Sequence, residues 1–271
     1  MCIRDSYNIQ GPVSTSSTAC ASSAQAIGKA MRMIEYGDAD IMITGGSDSI
    51  ITEFSVAGFG LLGALSKNND HPESASRPFD LKRDGFILGE GAGILIMEEL
   101  EHAQARGANI IAEITGFGSS SNAYRITDSP PDGRGADQSM RSALEDAGIA
   151  AEDINYINAH GTSTLVNDRS ETQAIKKVFG DSAYGTPISS NKSMLGHLIA
   201  SAGTIELIVS TMTIQKNLIP PTINYETPDP DCDLDYVPNE PRNYNVDAVL
   251  SNSFAFGGQN ASLVVERYYD A

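Results

Sequence analysis

The chain has 271 residues, of which 41% are hydrophobic, so it can form one large domain or two of ordinary size around a substantial core. Its formal net charge of −17 argues against general binding of nucleic acids, which requires a basic surface. The sequence shows neither a secretory leader nor a run of about 18 apolar residues, and we expect no transmembrane helix. The cysteines, Cys2, Cys20 and Cys232, lack metal-ligand spacing and indicate a reducing, cytoplasmic compartment.

Helix-like and strand-like segments alternate along the chain. Helices are predicted near residues 27–34 and 140–147, because apolar side chains recur there at i, i+3, i+4 and i+7 before a glycine. Short apolar runs that end in glycine or polar residues predict strands buried on both faces. These runs lie at residues 39–46, 91–99, 154–161 and 247–254. The alternation predicts an α/β fold with a mainly parallel sheet covered by helices.

Two further patterns bear on the organisation of the chain. The proline-rich residues 219–241 are predicted to form a long surface connection in which Cys232 has no particular role. "FILGEGAGILIMEE" begins at Phe86, and "FAFGGQNASLVVER" begins 168 residues later, at Phe254. Each contains a glycine turn followed by an apolar strand, and four positions are identical at this offset. This internal echo favours two duplicated α/β halves.

Cys20 lies within "STSSTACASS" (14–23), where small and hydroxylated side chains surround the sulfur. A structural cysteine is normally packed among larger aliphatic residues, so these neighbours predict room for a ligand beside the thiol. A helix is predicted to follow, and the N-terminus of a helix favours the nucleophilic thiolate. The alternative is a small, buried and inert cysteine.

Two histidines strengthen the reactive interpretation. His160 in "NAHGTST" and His197 in "SNKSMLGH" are each predicted to follow a strand directly, at the edge where α/β sheets build their sites. Either one alone is more simply a core histidine, but the pair of glycine-flanked histidines favours a shared role. His71 and His102 lie in polar segments and are predicted to be solvated. A cysteine with a histidine also occurs in proteases, but no third, orienting residue of that type is found.

These motifs occur together, and in this order, in a known family. The chain resembles the β-ketoacyl-acyl carrier protein synthases of the condensing-enzyme (thiolase-like) group, most closely the type II elongating enzymes of bacterial fatty-acid synthesis. The resemblance runs from about residue 7 to residue 267 and rests on TAC (18–20), RPFDLKRDGFILGEGAG (77–93), AHGTST (159–164), NKSMLGH (191–197), PPTINYETPDPDCDLDYVP (220–238) and NSFAFGG (252–258). It implies a fold of two thiolase-like α/β halves arranged in α-β-α-β-α layers.

The resemblance also assigns roles to individual residues. Cys20 would be the nucleophile that accepts the acyl group, and His160 and His197 would be the paired active-site histidines. Lys192 would be the lysine of the family's motif, with Glu206 as its ionic partner. The backbone N–H of Phe256 would form the oxyanion hole with that of Cys20, and Phe256 would also gate the site. Thr162 and Thr164 would have a supporting role. The residues along the acyl path would be Phe59, Phe254, Gly257 and Gly258.

The implied enzyme is an acyltransferase of fatty-acid elongation. A fatty acyl group would move from a carrier thioester to Cys20, and malonyl-acyl carrier protein would then lose CO₂ and condense with it to give 3-oxoacyl-acyl carrier protein. No metal or organic cofactor is required. The implied partners are acyl- and malonyl-loaded acyl carrier protein and a second copy of the chain in a homodimer, with no nucleic acid and no membrane.

The resemblance divides the chain into residues 1–110, the half with Cys20, and residues 111–271, the half with the histidines. Family members have a long segment before the region that matches Tyr7, where this chain has only "MCIRDS". We therefore expect an N-terminally truncated chain with an incomplete first half.

Gly63 stands where relatives often carry an arginine thought to meet the acidic carrier. The remaining candidates for that contact are Lys29, Arg32 and Lys67. The chain also departs from the family's usual residues at Ala21, Leu165 and Asn191, and none of these departures removes a catalytic group.

Several alternatives remain open. A polyketide-type ketosynthase carries the same motifs. Thiolases and initiating synthases typically use Cys-His-Cys or Cys-His-Asn sets, so His197 disfavours them. A non-catalytic partner of the chain-length-factor type usually lacks the cysteine present here as Cys20. An inactive fragment stays possible because of the expected truncation.

Overall fold

The computed structural model describes residues 3–270, with all side chains in that range except that of Ile3. Cys2, one of the cysteines in the spacing argument, lies outside the described residues. The α-helices are α1 (Ile3–Ser6), α2 (Ser22–Glu35), α3 (Glu53–Leu61), α4 (Leu100–Ala105), α5 (Ala136–Ala147), α6 (Leu165–Phe179), α7 (Lys192–Leu195) and α8 (Ala202–Lys216). The strands are β1 (Ile41–Asp48), β2 (Gly91–Glu98), β3 (Glu113–Ser121), β4 (Tyr156–Asn158), β5 (Ile188–Ser189), β6 (Leu218–Ile219), β7 (Arg242–Asn243), β8 (Ala248–Phe254) and β9 (Gln259–Glu266).

Both predicted helices are confirmed. Helix α2 buries Ile27 and Met31 on one face, and the chain leaves the helix just before Gly37, whose φ is +74°. Helix α5 buries Met140 and ends at Gly148, which adopts the left-handed conformation that glycine accepts at low cost.

Two sheets lie on either side of a pair of helices. The larger sheet has the strand order β3-β9-β8-β4-β5, and the smaller one pairs β1 with β2. Helices α2 and α8 pack against each other and contact strands of both sheets. On β3, Gly116 and Gly118 lie against α5, whereas the ring of Phe117 between them contacts Gly28 of α2. Helix, sheet, helix and sheet thus follow one another, four of the five layers that the resemblance implied.

The prediction of a mainly parallel sheet is wrong. Among the described strands, parallel pairing is confined to β4, which pairs with β5 and β8. The pairs β1–β2, β3–β9, β6–β7 and β8–β9 are antiparallel. Only four residues, 255–258, join β8 to β9, and a loop of that length cannot carry the crossover that parallel neighbours need. The fold is α/β with a mixed sheet.

The smaller sheet also buries only one face, contrary to the expectation of strands buried on both. Inward-facing positions alternate with outward-facing ones along β1 and β2, as in a half-buried antiparallel pair. Gly93 of β2 lies against Thr204 of α8 on the inner face. The outer face is apolar and exposed at Ile41, Ile43, Ile94 and Ile96.

The segment 219–241 is not a surface connection. Cys232 is fully buried in the main hydrophobic core, and the ring of Tyr236 stacks on that of Phe79 with centroids 3.9 Å apart. The buried carboxylate of Asp80 accepts the backbone N–H groups of Glu226 and Thr227 at 2.7 and 2.6 Å. These bonds let a proline-rich loop fold inward, because they satisfy backbone groups that would otherwise be buried without partners.

The repeat found in the sequence corresponds to equivalent strands. Strand β9 begins and ends 168 residues after β2, and each pairs antiparallel with the preceding long strand, β8 or β1. None of the helices within residues 3–270 has the combined length and apolarity of a membrane-spanning segment.

Candidate active site

Cys20, His160 and His197 lie close together in the structure. One side-chain atom from each lies within 4.8 Å of the others, and all three residues are buried. The Nε2 atom of His197 is 3.1 Å from the sulfur of Cys20. The two imidazole rings are 5.4 Å apart between centroids and nearly perpendicular.

Cys20 occupies a short 3₁₀ turn, Ala19–Ala21, that leads into α2. Ala19 has a φ of +47°, an unfavourable value for a residue with a side chain. Ser22 stabilises the turn, since its Oγ accepts the N–H of Thr18 at 2.8 Å and donates to the carbonyl of Ala19 at 2.7 Å. The turn therefore holds the sulfur at the positive end of a helix.

The sequence had suggested that the small residues beside Cys20 leave open space, but they do not. Ala21 and Ala24 are buried in the core. A Cβ atom on Gly203 of α8 would lie 2.9 Å from Ala24, so small side chains are what let α2 and α8 approach each other closely. The space next to the thiol is the cavity described below, which none of these small residues lines.

The prediction of a thiolate favoured by the helix is also wrong. Burial raises the pKa of the Cys20 thiol to about 11, although the charge of Lys192 and hydrogen bonds from the backbone of Phe256 and of Cys20 itself act to lower the pKa. Loss of hydration outweighs the helix end, because water no longer solvates the charged sulfur. The resting group is therefore a neutral thiol.

His197 does not directly follow a strand. Strand β5 ends at Ser189, and α7 lies between the two. The backbone of His197 is instead held by residues 87–89, through its N–H to the carbonyl of Ile87 at 2.7 Å and its carbonyl to the N–H of Gly89 at 2.9 Å. Its Nδ1 accepts the backbone N–H of Ile199 at 3.3 Å, so the ring proton lies on Nε2, which faces the sulfur.

His160 follows β4 by two residues, close to the predicted position. The carboxylate of Glu171, on α6, accepts the backbone N–H groups of His160 and Gly161, each at 2.8 Å. Glu171 is fully buried, and burial raises its pKa to about 7. The sequence analysis missed Glu171, which lies eleven residues after His160 on a helix that it did not predict.

Burial lowers the pKa of both histidines well below the ordinary value, and the nearby charge of Lys192 lowers both further. The rings are therefore neutral. The three residues could reach a metal ion such as Zn²⁺ by distance alone. A histidine that binds zinc usually donates its other ring N–H, whereas Nδ1 of His197 already accepts the N–H of Ile199. The arrangement favours donation of a hydrogen bond from Nε2 over ligation of a metal.

Lys192 and Glu206 form an ion pair between α7 and α8. Both side chains are buried, and the second carboxylate oxygen of Glu206 has no hydrogen-bond partner among the described residues. The positive charge of Lys192 lowers the pKa of Cys20, His160 and His197, whereas the negative charge of Glu206 acts to raise the pKa of Cys20.

A cavity of about 60 Å³ opens beside the thiol. Its lining includes the predicted Thr162 and Thr164, whose hydroxyl groups are 2.9 Å apart, and the predicted Phe254 and Phe256. Phe59 does not line it and packs edge-on against Phe86. The lining residues missed by the sequence analysis are Phe86, Thr127, Asp128, Ser129, Val166, Asn167 and Ala255.

Phe256 lies in the turn that joins β8 to β9. Gly257 and Gly258 follow at φ values of +85° and +75°, which require glycine, but neither lines the cavity. The N–H of Gly257 donates to the carbonyl of Ile126 at 2.6 Å, and the N–H of Asn122 donates to the carbonyl of Gly258 at 2.8 Å. The turn is thereby joined to the loop after β3 that supplies residues 127–129 to the cavity.

Comparisons with known proteins show which family the chain resembles. Residues 2–103 match the "Beta-ketoacyl synthase, N-terminal domain" and residues 111–226 the "Beta-ketoacyl synthase, C-terminal domain". The 3-oxoacyl-[acyl-carrier-protein] synthase 2 of Coxiella burnetii is 52% identical over 264 residues, which are 97% of this chain and 64% of that protein. The synthase of the same name from Synechocystis is 52% identical over 259 residues, 96% of this chain and 62% of that protein.

Solved structures give the same assignment. A ketosynthase in complex with a type II polyketide acyl-carrier protein, AntDE:AntF, is 46% identical with a TM-score of 0.96, over 98% of this chain and 66% of that chain. A beta-ketoacyl synthase from Burkholderia phymatum is 42% identical with a TM-score of 0.93, over 98% and 64%. The chain thus spans less than two thirds of the length of these relatives. The two matching domains together cover most of its residues, and the chain belongs to the beta-ketoacyl synthase family.

Proposed function

We propose that the protein is a β-ketoacyl-acyl carrier protein synthase of fatty-acid elongation. The observation that carries the proposal is the convergence on one thiol of two kinds of hydrogen-bond donor. Hydrogen bonds from the backbone of Cys20 and Phe256 act to lower the pKa of the thiol, and Nε2 of His197 lies 3.1 Å from the sulfur on a neutral ring. This arrangement suits a reaction in which negative charge develops twice beside one sulfur.

The first half-reaction is acyl transfer. The Cys20 sulfur attacks the carbonyl carbon of an acyl-carrier thioester, and the carbonyl oxygen becomes an oxyanion that the N–H groups of Cys20 and Phe256 stabilise. The carbon–sulfur bond to the carrier then breaks. Since the resting thiol is neutral, its proton ends on the departing carrier thiol, and the acyl group remains on Cys20.

The second half-reaction is decarboxylative condensation. Malonyl-carrier loses CO₂, and the electron pair of the broken carbon–carbon bond forms an enolate on the thioester oxygen. Neutral N–H donors of His160 and His197 stabilise that oxygen, and the Lys192 charge adds to the favourable field. The enolate carbon attacks the acyl-cysteine carbonyl, the bond to sulfur breaks, and the thiolate regains a proton from solvent. The product is 3-oxoacyl-carrier.

The remaining assignments belong to the same proposal. Residues 1–110 would form the half with the nucleophile and residues 111–271 the half with the histidines. Phe59 and Phe254 would lie along the acyl path, and Phe256 would gate it. Acyl carrier protein is the proposed partner, supported by the solved ketosynthase that is bound to a carrier. A homodimer in the cytoplasm is the proposed state, on the resemblance alone.

The second candidate is a polyketide-type ketosynthase. One observation favours it, which is the 46% identity to the type II polyketide ketosynthase AntDE. The two candidates share the chemistry and differ in whether the 3-oxo product is extended again without reduction.

Reconstitution tests both candidates. The 271-residue protein is incubated with octanoyl-carrier and malonyl-carrier, and intact mass spectrometry follows the enzyme and the carrier. We expect an octanoyl adduct on Cys20 and one two-carbon extension, with release of one CO₂. Repeated extension would favour the polyketide-type enzyme. An octanoyl adduct on Cys232, or no adduct at all, would contradict the proposed function.

A further inference from the structure

The proposed catalytic groups follow three neighbouring strands of the larger sheet. Strand β4 ends two residues before His160, β5 ends three residues before Lys192, and β8 ends two residues before Phe256. Strand β4 lies between the other two and pairs in parallel with both. The relative position of the three strand ends therefore sets the spacing of these groups.

One side chain at the end of β4 bonds both to the loop that follows β5 and to the middle of β8. Asn158, the last residue of β4, accepts a hydrogen bond on Oδ1 from Nδ2 of Asn191 at 2.6 Å and donates from Nδ2 to Oγ of Ser251 at 3.1 Å. Asn191 directly precedes Lys192, and Ser251 lies opposite Asn158 on β8. Asn158, Asn191 and Ser251 are at most 3% exposed, so water does not compete for these bonds.

The environment of Asn191 indicates that the role of its side chain is the hydrogen bond to Asn158. The Oδ1 atom of Asn191 is buried and has no hydrogen-bond partner among the described residues. An unpaired buried amide oxygen is unfavourable, and the bond from Nδ2 to Asn158 is what offsets this cost. A second link, from Oγ of Ser190 to the carbonyl of Gly161 at 2.7 Å, joins the loops after β4 and β5 but is not bonded to β8.

We infer that Asn158 is a positioning residue, whose carboxamide, held between Asn191 and Ser251, fixes the loop of His160 relative to the loops of Lys192 and Phe256. This inference rests on the proposed function. Asn158 does not line the cavity, so it acts through other residues. The bond to Asn191 governs the geometry of His160 and Lys192, which serve decarboxylation. Acyl transfer depends instead on Cys20 and the N–H of Phe256.

The test separates the two half-reactions. Asn191→Leu removes the donor to Asn158 at similar volume. We expect the rate of malonyl-carrier decarboxylation to fall roughly 10- to 100-fold, as for a displacement of about 1 Å at a reacting group, while acyl transfer to Cys20 changes less than about threefold. Asn191→Asp should recover most of the rate, because the Asn158 amide can reverse, donate to the new carboxylate and accept from the Ser251 hydroxyl.

Asn155→Leu is the matched control. Oδ1 of Asn155 accepts the N–H groups of Asp247 and Ala248 at 2.8 and 3.0 Å, which joins β4 to β8 at the end remote from the site. This variant should lower the urea midpoint of unfolding and leave the ratio of the two half-reactions unchanged. The same change in that ratio for Asn155→Leu and Asn191→Leu would overturn the inference, as would equal losses of both half-reactions in Asn191→Leu.

A measurement without substrate keeps the inference separate from the proposed function. The ¹⁵N resonances of the His160 and His197 rings should shift in Asn191→Leu and stay in place in Asn155→Leu. If the unaltered protein catalysed neither half-reaction, the proposed function would fail, and the histidine resonances would still decide the inference. Unshifted resonances in Asn191→Leu would refute it.

Discussion

Two turn–helix units meet at the centre of the molecule, with the same backbone and different chemistry. In each, a three-residue 3₁₀ turn leads into a long helix, residues 19–21 before α2 and 199–201 before α8. Both turns begin with a residue at positive φ, +47° at Ala19 and +44° at Ile199. Aligned on these residues, the units place Ala200 where the first unit has Cys20.

The contacts between α2 and α8 are also related by the alignment of the two units. Oγ of Ser23 on α2 accepts the N–H of Thr204 on α8 at 3.1 Å. One position away, Gly203 of α8 lies against Ala24 of α2 so closely that a Cβ would be 2.9 Å from it. In the alignment Ser23 matches Gly203, and Ala24 matches Thr204, so the contacts form a symmetric pair.

The two helix starts differ in what binds their N–H groups. The N–H of Ala200 donates to Oδ2 of Asp48 at 3.1 Å, so a carboxylate caps the second unit. At the first unit, hydrogen bonds from the backbone of Cys20 and Phe256 act to lower the pKa of a thiol that also lines a cavity. The same backbone thus stabilises the fold where a side chain caps it, and would be free for chemistry where Cys20, the proposed nucleophile, takes that place.

Cys20→Ala would make the two units alike and should have the largest effect. Without a sulfur, no acyl intermediate can form, and we expect condensation to fall by at least ~10³-fold. Release of 3-oxoacyl-carrier measures the loss. Cys232→Ala is the control, because Cys232 lies in the hydrophobic core away from the cavity. Residual condensation above a few per cent in Cys20→Ala would contradict the role of the thiol.

His197 links the two units, because Nε2 faces the sulfur of Cys20 and Nδ1 accepts the N–H of Ile199. His197→Ala and His160→Ala should lower malonyl-carrier decarboxylation by roughly 10²- to 10³-fold, the usual loss for one donor to a developing oxyanion. Acyl transfer should fall less than about tenfold, because its oxyanion is held by backbone N–H groups. Equal losses in the two half-reactions would argue against enolate stabilisation by the pair.

The pH dependence of Cys20 tests whether burial or the helix end controls the thiol. Burial raises the pKa of Cys20 to about 11, so the reactive thiolate is a small fraction at neutral pH. The rate of alkylation by iodoacetamide should rise about tenfold per pH unit from about pH 7 to 10, because the thiolate fraction does. A plateau below about pH 8 would mean that the helix end prevails. Lys192→Met should slow the reaction further, because the Lys192 charge lowers the pKa.

The sequence predicted the parts of the site that are local. Helix α2, the strand before His160 and the motif residues around Cys20 follow from patterns a few residues long. Glu171 and Asp48 were missed because their hydrogen-bond partners lie at least ten residues away along the chain, and no periodicity marks them. The pKa of Cys20 was predicted in the wrong direction, because desolvation depends on how the whole chain packs around the sulfur.

The errors in the fold have the same origin. An apolar strand that is buried in a parallel sheet and one that is half-buried in an antiparallel pair have similar composition, so the orientation of β1 and β2 was not predictable from their residues. Prolines in 219–241 suggested exposure, whereas Asp80 and the Phe79 ring supply partners from a segment about 150 residues earlier.

Asp48 carries the smallest predicted effect and tests the second unit alone. Asp48→Ala removes the acceptor for the N–H of Ala200, and we expect the free energy of unfolding to fall by about 1 kcal/mol, as for one hydrogen bond. Asp48→Asn keeps an acceptor oxygen and should lose less than half of that. Urea unfolding followed by circular dichroism measures both variants.

Iodoacetamide labelling of Cys20 completes this experiment, because neither Asp48 variant changes a residue of the first unit. The alkylation rate at fixed pH should match that of the unaltered protein within about twofold if the cap serves only the fold. A large change in labelling would mean that the two helix starts are coupled through His197 and Ile199. The division into a structural unit and a reactive unit would then be wrong, since a cap on one would set the reactivity of the other.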